Sequence, residues 1–546
     1  LTQGVFELDR GDSTKKKVNK YQKAVFPEIA AESISPSEER AMNQMAESLF
    51  GSRWSTTSVA FVRFLSQTIA GLSVAVLLIC FSGIVAYAQE QPPPPAGEGI
   101  PDQLKTYTVN NYTDWLKQYQ DAKPDFKPGD TLTQKDIGKL RAFMPPGFYE
   151  MLNFPELRVE IAPPENLSPG QPYMDCTEKY SAQTKLGPEG ELINYVCGQP
   201  FPLSQIRLED PMAGVKEAWN YNWRPRAWGV RNLNAWVLVR PGGTHSPWEH
   251  TQPPTDWFVS TADQTEFAPT DIGHYFGGGG NVERVIEGIF QLFQYSHIAE
   301  FMDSPTKGTL PLPGANVIEF KEWDGFFSPF DIRGTAFVQI RYLDPHRADD
   351  SWAYLPVLRR VRRISTEVKS DSLLGTDFTL DDFWGFNARV LDWKWTFLGF
   401  KDVLGTIGIK YDFEHYYGPM GTIPDDWYRL RRTAMVLREP KYRHTYSAAI
   451  MFIDTQTGYC LYHFPFDKAK HLWKTNIWQY RFSEDAKRYA RDNRGVRALD
   501  FNGVVATDVQ NKHATIIPGY AGGHPVLTPA DTDRLFDLSK LEQLHR

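Results

Sequence analysis

Residues Leu391–Gly399 read LDWKWTFLG, and this stretch decides the fold class. Leu391, Trp393, Trp395 and Phe397 alternate with Asp392, Lys394 and Thr396. A two-residue period puts every one of those apolar side chains on one face and leaves the other face mostly polar. A helix would spread the same residues around its circumference. The stretch is a strand of a sheet, and its tryptophan face must bury itself against a helix, another sheet or a ligand.

The same signal recurs outward in both directions. Upstream, DSWAYLPVLRRVRRIS (residues 350–365) is a strand carrying Trp352 and Tyr354, a proline-containing turn and a basic strand. GTAFVQIRYLD (334–344) is a strand, and VLVRPGG (237–243) ends one. Downstream, YSAAIMFIDTQTGYCLYHFPF (446–466) is a hairpin around Asp454–Gly458. Helical spacing is sparser: YTDWLKQYQDA (112–122), TQKDIGKLRAFM (133–144) capped by Thr133, NVERVIEGIFQLFQYSHIAEF (281–301) and SEDAKRYARDN (483–493). Many strands with few helices predict a mainly β (α+β) fold, a large curved antiparallel sheet with helices over part of one face.

Composition narrows the function. The chain has 546 residues and a net charge of -7, which argues against a dedicated nucleic-acid binder. Aromatic residues make up 14% and include 16 tryptophans, which suits cores, apolar ligand sites and sugar platforms alike.

The amino end sets the compartment. Arg53 and Arg63 flank an apolar or small run, Ile69–Val85, which ends in Ala86-Tyr87-Ala88. A positive flank, an apolar run and an A-x-A site are the parts of a secretory signal, with cleavage expected between Ala88 and Gln89. The alternative is an inner-membrane anchor over 64–88, since no charge lies between Arg63 and Glu90. Residues 1–41 read as an over-extended reading frame or a disordered tail, and 42–88 as the signal. Residues 89–100 form a proline-rich linker, 101–165 a helical and loop segment, 166–515 the β domain and 516–546 a tail. In an oxidising periplasm Cys176 and Cys197, nearly symmetric about Gly187–Gly190 in what reads as a hairpin, are expected to form a disulfide. Cys460 is left as a small core residue.

In order, NYVCGQPFP (194–202), AGVKEAWNYNWR (213–224), WAYLPVLRRVRR (352–363), GTDFTLDDFWGF (375–386), DWKWTFLGFKD (392–402) and the long run from Lys441 to Lys474 resemble the exported bacterial family called domain of unknown function 1329. That family is similar in turn to periplasmic carriers that sort outer-membrane lipoproteins. The resemblance spans about residues 100–515. It implies a half-open β-barrel, a strongly bent sheet around a helical plug with an apolar cavity. It also implies a periplasmic carrier of lipid or another hydrophobic compound, working beside a resistance-nodulation-division-type exporter and an outer-membrane partner. The chain is far longer than the short lipoprotein carriers, with a large segment from Asn220 to Phe320, which speaks against lipoproteins as direct cargo.

The site expected on this reading is an apolar face made of Trp352, Tyr354, Trp384, Phe386, Trp393, Trp395 and Phe397. Arg359, Arg360, Arg362 and Arg363 would pair with Asp377, Asp381 and Asp382, or meet an anionic headgroup at the barrel mouth. Gly277–Gly280 and the helix expected after them form a candidate lid. No catalytic constellation emerges: there is no G-x-S-x-G elbow, and the paired acids Asp381-Asp382 and Asp425-Asp426 are sequence neighbours rather than a facing dyad. His245 and His250 lie on a proline-interrupted loop, unlike a zinc-binding helix, so no metal and no cofactor is expected. Two other readings are a hydrolase or lyase acting on a hydrophobic substrate in the same cavity, and an envelope scaffold that carries no ligand.

Overall fold

The Trp393–Phe397 alternation becomes a strand in which the three aromatic residues are buried and Lys394 and Thr396 are exposed. It opens one meander of a large curved sheet. In chain order the long strands are β1 (Gly229–Arg240), β2 (Asn281–Gln294), β3 (Ile318–Ser328), β4 (Ala336–Tyr342), β5 (Asp350–Leu355), β6 (Arg360–Arg363), β7 (Trp393–Thr406), β8 (Trp427–Pro440), β9 (Ala448–Asp454), β10 (Cys460–Phe466), β11 (Lys474–Phe482), β12 (Leu499–Asp508) and β13 (His513–Ala521). The computed structural model describes residues 99–241, 275–276, 281–365, 368–408, 410, 414–482, 497–521 and 536–538. All of these lie in one compact unit, Pro92–Arg546, which contains its own cores.

The strand order is β7-β8-β9-β10-β11-β12-β13-β1-β2-β3-β4-β5-β6, antiparallel at every step. Two consecutive meanders are thus joined by the pairing of β13 with β1. Two short strands, Thr131–Thr133 and Arg158–Ile161, add to the far end of β8. The sheet is strongly curved without closing into a barrel. It curls far enough that Ile407, just past β7, bridges Tyr480 of β11.

Both faces of the β7–β11 half are covered. On one face α1 (Val109–Tyr119) brings Tyr112, Trp115 and Leu116 against Phe452, Phe464 and Phe466. Thr133 caps a 3-10 turn reciprocally with Asp136, as expected. On the other face lie α3 (Ala213–Asn222) and the segment 368–392 that connects β6 to β7. Gly214 explains how close α3 sits to β7: a Cβ there would lie 2.7 Å from the backbone carbonyl of Trp395. Only glycine permits that approach.

Three expectations are corrected. Asn281–Phe301 is not a helix; its first fourteen residues form β2. Its apolar residues mimic helical spacing because β2 is buried on both faces from Ile286 onward, and an extra residue at Glu283, opposite Leu238/Val239, breaks the two-residue alternation. The residues around Cys176 form α2 (Gln171–Tyr180), not a strand; the hairpin shrinks to Lys185–Leu186 against Leu192–Ile193. The disulfide Cys176–Cys197 is nevertheless present, linking α2 to the loop after that hairpin. The segment from 516 starts as the body of β13, and farther on Phe536 packs edge-on against Phe293 at 5.8 Å. The helix expected over 483–493, Gly277–Gly280, His245 and His250 fall outside the described residues.

Candidate functional site

The aromatic residues singled out in the sequence do not converge on one surface. Trp352 and Tyr354 sit on β5 in a cluster with Trp323 and Val338. Trp384, at φ +60°, packs edge-on against Phe290 and Phe501. Phe386, Trp393, Trp395 and Phe397 form a separate core under α3, with Phe386 4.9 Å from Trp395 and 5.8 Å from Trp393. Trp393 is 1% exposed. The arginines do not pair with the acids of the connecting segment. Arg359 lies in the turn before β6, and Arg360, Arg362 and Arg363 are exposed on that strand. Only Arg363 has an ion pair among the described residues, with Asp350 at 2.5 Å.

Asp377, Asp381 and Asp382 instead belong to a buried polar chain. His513 Nδ1 lies 2.6 Å from Asp377, and Thr515 donates to the same carboxylate. Lys369 stands between Asp349 at 3.4 Å and Asp381 at 3.5 Å. Tyr442 donates to Asp381 at 2.9 Å, and His444 Nε2 lies 3.5 Å away. Burial works to raise the Asp381 carboxyl, but Lys369 and the His444 and Tyr442 contacts outweigh it and hold the group well below its usual range. Asp382 accepts from Tyr446 at 2.6 Å and from both the backbone and the hydroxyl of Thr379. The Asp382 carboxylate thus closes a capping box at the start of this turn.

Arg438 of β8 is fully buried between Asp382 at 3.8 Å and His463 Nε2 at 2.7 Å, with its guanidinium 4.3 Å over the Trp393 ring. Arginine can only donate, so Nε2 of His463 accepts. Burial, with Arg438 and Lys474 nearby, keeps that histidine neutral by pushing its pKa well down. Together these bonds pin segment 368–392 across the inside of the sheet.

Beside this chain lies a cleft of about 160 Å³ between α3, the loop after the Cys-linked hairpin and strands β3 and β4. Its walls are Tyr195, Trp219, Trp223, His297, Leu343 and Leu391. His297 is wedged between Tyr195 at 4.8 Å and Trp223 at 4.7 Å, and its Nδ1–H donates to the Val196 carbonyl at 2.6 Å. Burial lowers its pKa, so it presents a neutral, largely apolar face. The floor is polar. Glu319 accepts from Asn222 at 3.0 Å and is pushed upward by burial. Arg341 holds Asp349 through two bonds, 3.2 and 2.8 Å, and donates to the carbonyls of Asn387 and Ala388. Arg341 therefore ends the cleft and begins the buried chain. Just behind, burial raises Glu322 on β3 to about 7, and burial together with Glu322 raises Asp324. At the other end of the chain His444 lines a wider surface cleft of about 710 Å³ with Arg443, Lys468 and Trp473.

Chemically, this arrangement can hold a flat or branched apolar group between aromatic walls and a polar end at the floor. Both nitrogens of His444 are engaged: Nδ1 accepts from the Tyr446 amide, and Nε2 faces Asp381. Among the described residues no group of three or more His, Cys, Asp or Glu is placed to hold a metal ion. Sequence reasoning missed the cleft residues because they come from six separate places in the chain: the loop at 194–199, α3, the loop after β2, β3, β4 and the segment before β7. What marks the polar chain in the structure is burial of polar residues on strands, Arg341, Arg438, His463 and Asn476 among them.

No curated protein matches the chain. Similar solved structures include a domain described as an outer membrane lipoprotein-sorting protein from Vibrio parahaemolyticus, 15% identical, which covers 61% of this chain and 100% of its own with a TM-score of 0.37. Another is a DUF1329 family protein from Desulfovibrio piger, also 15% identical, covering 61% of this chain and 99% of its own with a TM-score of 0.38. A LolA superfamily protein from Nitrosomonas europaea is 10% identical, covering 56% and 89% at a TM-score of 0.29. The family model described as protein of unknown function DUF1329 matches residues 131–276 and 275–534, most of the chain, and the chain belongs to that family.

Proposed function

We propose that this protein is an exported carrier of a hydrophobic compound with a polar end, and that the aromatic cleft beside α3 takes the cargo. The cleft itself is the observation that carries this reading: aromatic and leucine walls over a floor of Arg341, Asn222 and Glu319. Its volume is below the roughly 300 Å³ at which small-molecule pockets begin. In this state it takes a ring or one end of a longer molecule. Cargo reaches Trp393, Trp395 and Phe397 only when α3 lifts, because those residues are packed beneath that helix. The disulfide supports export, since such bonds persist in oxidising compartments. On this reading the signal over 42–88 is removed after Ala88, and delivery runs beside a resistance-nodulation-division-type exporter and an outer-membrane protein. Amino-terminal sequencing of the periplasmic form checks the cleavage.

The test of cargo binding is native mass spectrometry of Pro92–Arg546, exported and purified from the periplasm, followed by organic extraction. The expected result is a discrete added mass that Leu343→Trp removes while the circular dichroism spectrum is kept. Leu343 is half-buried at the cleft wall, so a larger ring there fills the cleft without entering a packed core. A protein that stays empty when offered lipids, sterols and hydrocarbons, or an adduct indifferent to Leu343→Trp, overturns the reading.

A further inference from the structure

The two most exposed large apolar side chains among the described residues are Phe330, 87% exposed, and Val357, 86% exposed. Both sit at turns, Phe330 between β3 and β4 and Val357 between β5 and β6. Strand register puts them at the same end of the sheet. Gly325 pairs with Ala336, Ala336 with Tyr354, and Leu355 with Arg360, so both turns project beyond the last paired residues of neighbouring hairpins. Leu358 and Val361 beside Val357 are also exposed.

Guanidinium groups surround these tips. Arg333, Arg359, Arg360 and Arg362 have no ion pair with a described residue. Asp331, beside Phe330, is already engaged with Arg284 at 2.6 Å, and the Arg363–Asp350 pair lies at the opposite end of the β5–β6 hairpin. Arginines on an edge strand also guard a sheet against edge-to-edge pairing. That accounts for the charge of β6 but not for bare phenylalanine and valine at the tips of two hairpins. Two loop tips also offer far fewer than the roughly 20–30 residues a side of a stable protein interface. They are shaped to wedge between headgroups, with cations at phosphate level behind an apolar point.

We propose that this end of the sheet docks the protein on a bilayer surface carrying anionic phospholipid. The tips enter the acyl boundary and the arginines meet the phosphates. Docking is independent of what the cleft holds. It would place a carrier where apolar cargo is loaded or delivered.

The test is co-sedimentation of Pro92–Arg546 with vesicles of phosphatidylethanolamine, with and without phosphatidylglycerol. Binding is expected on the anionic vesicles and to fall as salt rises. Phe330→Ser with Val357→Ser should weaken it by tenfold or more. The triple variant Arg359→Gln, Arg360→Gln, Arg362→Gln should lose about fivefold per charge and most of the salt dependence. All five positions are exposed, so the fold is not at stake. Leu343→Trp serves as control and should leave docking unchanged, which separates failure here from failure of the cargo reading. Equal binding by wild type and both variants, or none to either vesicle, overturns the proposal. So does a dimer in sedimentation equilibrium that the tip variants abolish, which would assign the tips to a second copy of the chain.

Discussion

Removing the disulfide gives a test in which global and local effects can be worked out separately. The bridge joins residues 21 apart, and loop-closure entropy for that span corresponds to about 3 kcal/mol at 25 °C. The local effect follows from what the bridge holds. Cys197 adjoins Val196, whose carbonyl fixes the His297 ring, and Tyr195, which packs on that ring. The loop's other ties are non-covalent: Tyr195 Oη donates to the Gly198 carbonyl, the Gln199 amide to Thr177 Oγ1 and the Gln183 side chain to the Asn194 carbonyl, and Tyr195 packs on Trp223. Gly198, at φ +79°, leaves no room for a Cβ beside the Thr177 amide. Without the bridge these ties have to hold the cleft wall alone. The substitution should be Cys176→Ala with Cys197→Ala, since both sulfurs are buried and a serine hydroxyl would add its own burial cost. Urea unfolding of Pro92–Arg546, followed by tryptophan fluorescence and far-ultraviolet circular dichroism, should show a loss of about 3 kcal/mol. Hydrogen exchange should quicken at residues 194–199 and leave β9 and β10 unchanged. A variant within about 0.5 kcal/mol of wild type, the range of an ordinary surface change, would refute the entropic account. Unaltered exchange at 194–199 would show that the bridge does not hold the wall.

Other outcomes follow from the packing described above. Gly214→Ala should push α3 off β7 and cost about 1–3 kcal/mol in urea unfolding, with a shifted tryptophan emission. Arg438→Met leaves Asp382 buried without its cation and should cost about 3–5 kcal/mol; adding Asp382→Asn should recover part of it in a double-mutant cycle. Glu217 of α3 is raised by burial to about 7 from 4.5, so its contribution to stability is full below about 4.5 and is lost as pH rises through 7. Asp349 and Asp381 are lowered, so theirs is present above 3.8 and lost at still lower pH. Glu217→Gln should therefore flatten the part of the stability fall between about 4.5 and 7 that Glu217 contributes, measured by urea unfolding across that range.

The sequence read best where only one rule operated. LDWKWTFLG has one solvated face, and its alternation translated directly into β7. The hairpin around Asp454–Gly458 and the basic strand after Pro356 were legible for the same reason, as was the Thr133 cap. Reading failed where two rules overlapped. NVERVIEGIFQLFQ is buried on both faces from Ile286 onward and carries an extra residue at Glu283, so its apolar residues fall at intervals a helix would also produce. Cys176 was paired correctly for the wrong reason, because a helix rather than a strand presents it. The cleft and the polar chain were illegible for a simpler cause. Asp349, Lys369, Asp381, Arg438 and His463 meet only once strand register is known, and register is a property of pairs of segments.

The pairing of β13 with β1 has a consequence for how the molecule is made. β1 through β6 emerge from the ribosome as a meander whose first strand has no partner on one side until His513–Ala521 arrives, after nearly all the remaining chain. For that interval an apolar edge stands open, and such an edge will pair with any extended chain it meets. The final fold is therefore sealed by its last long strand. A truncation before β13 would be expected to yield a sticky half-sheet rather than a smaller working protein. Any helper the chain uses in transit would have this edge to shield.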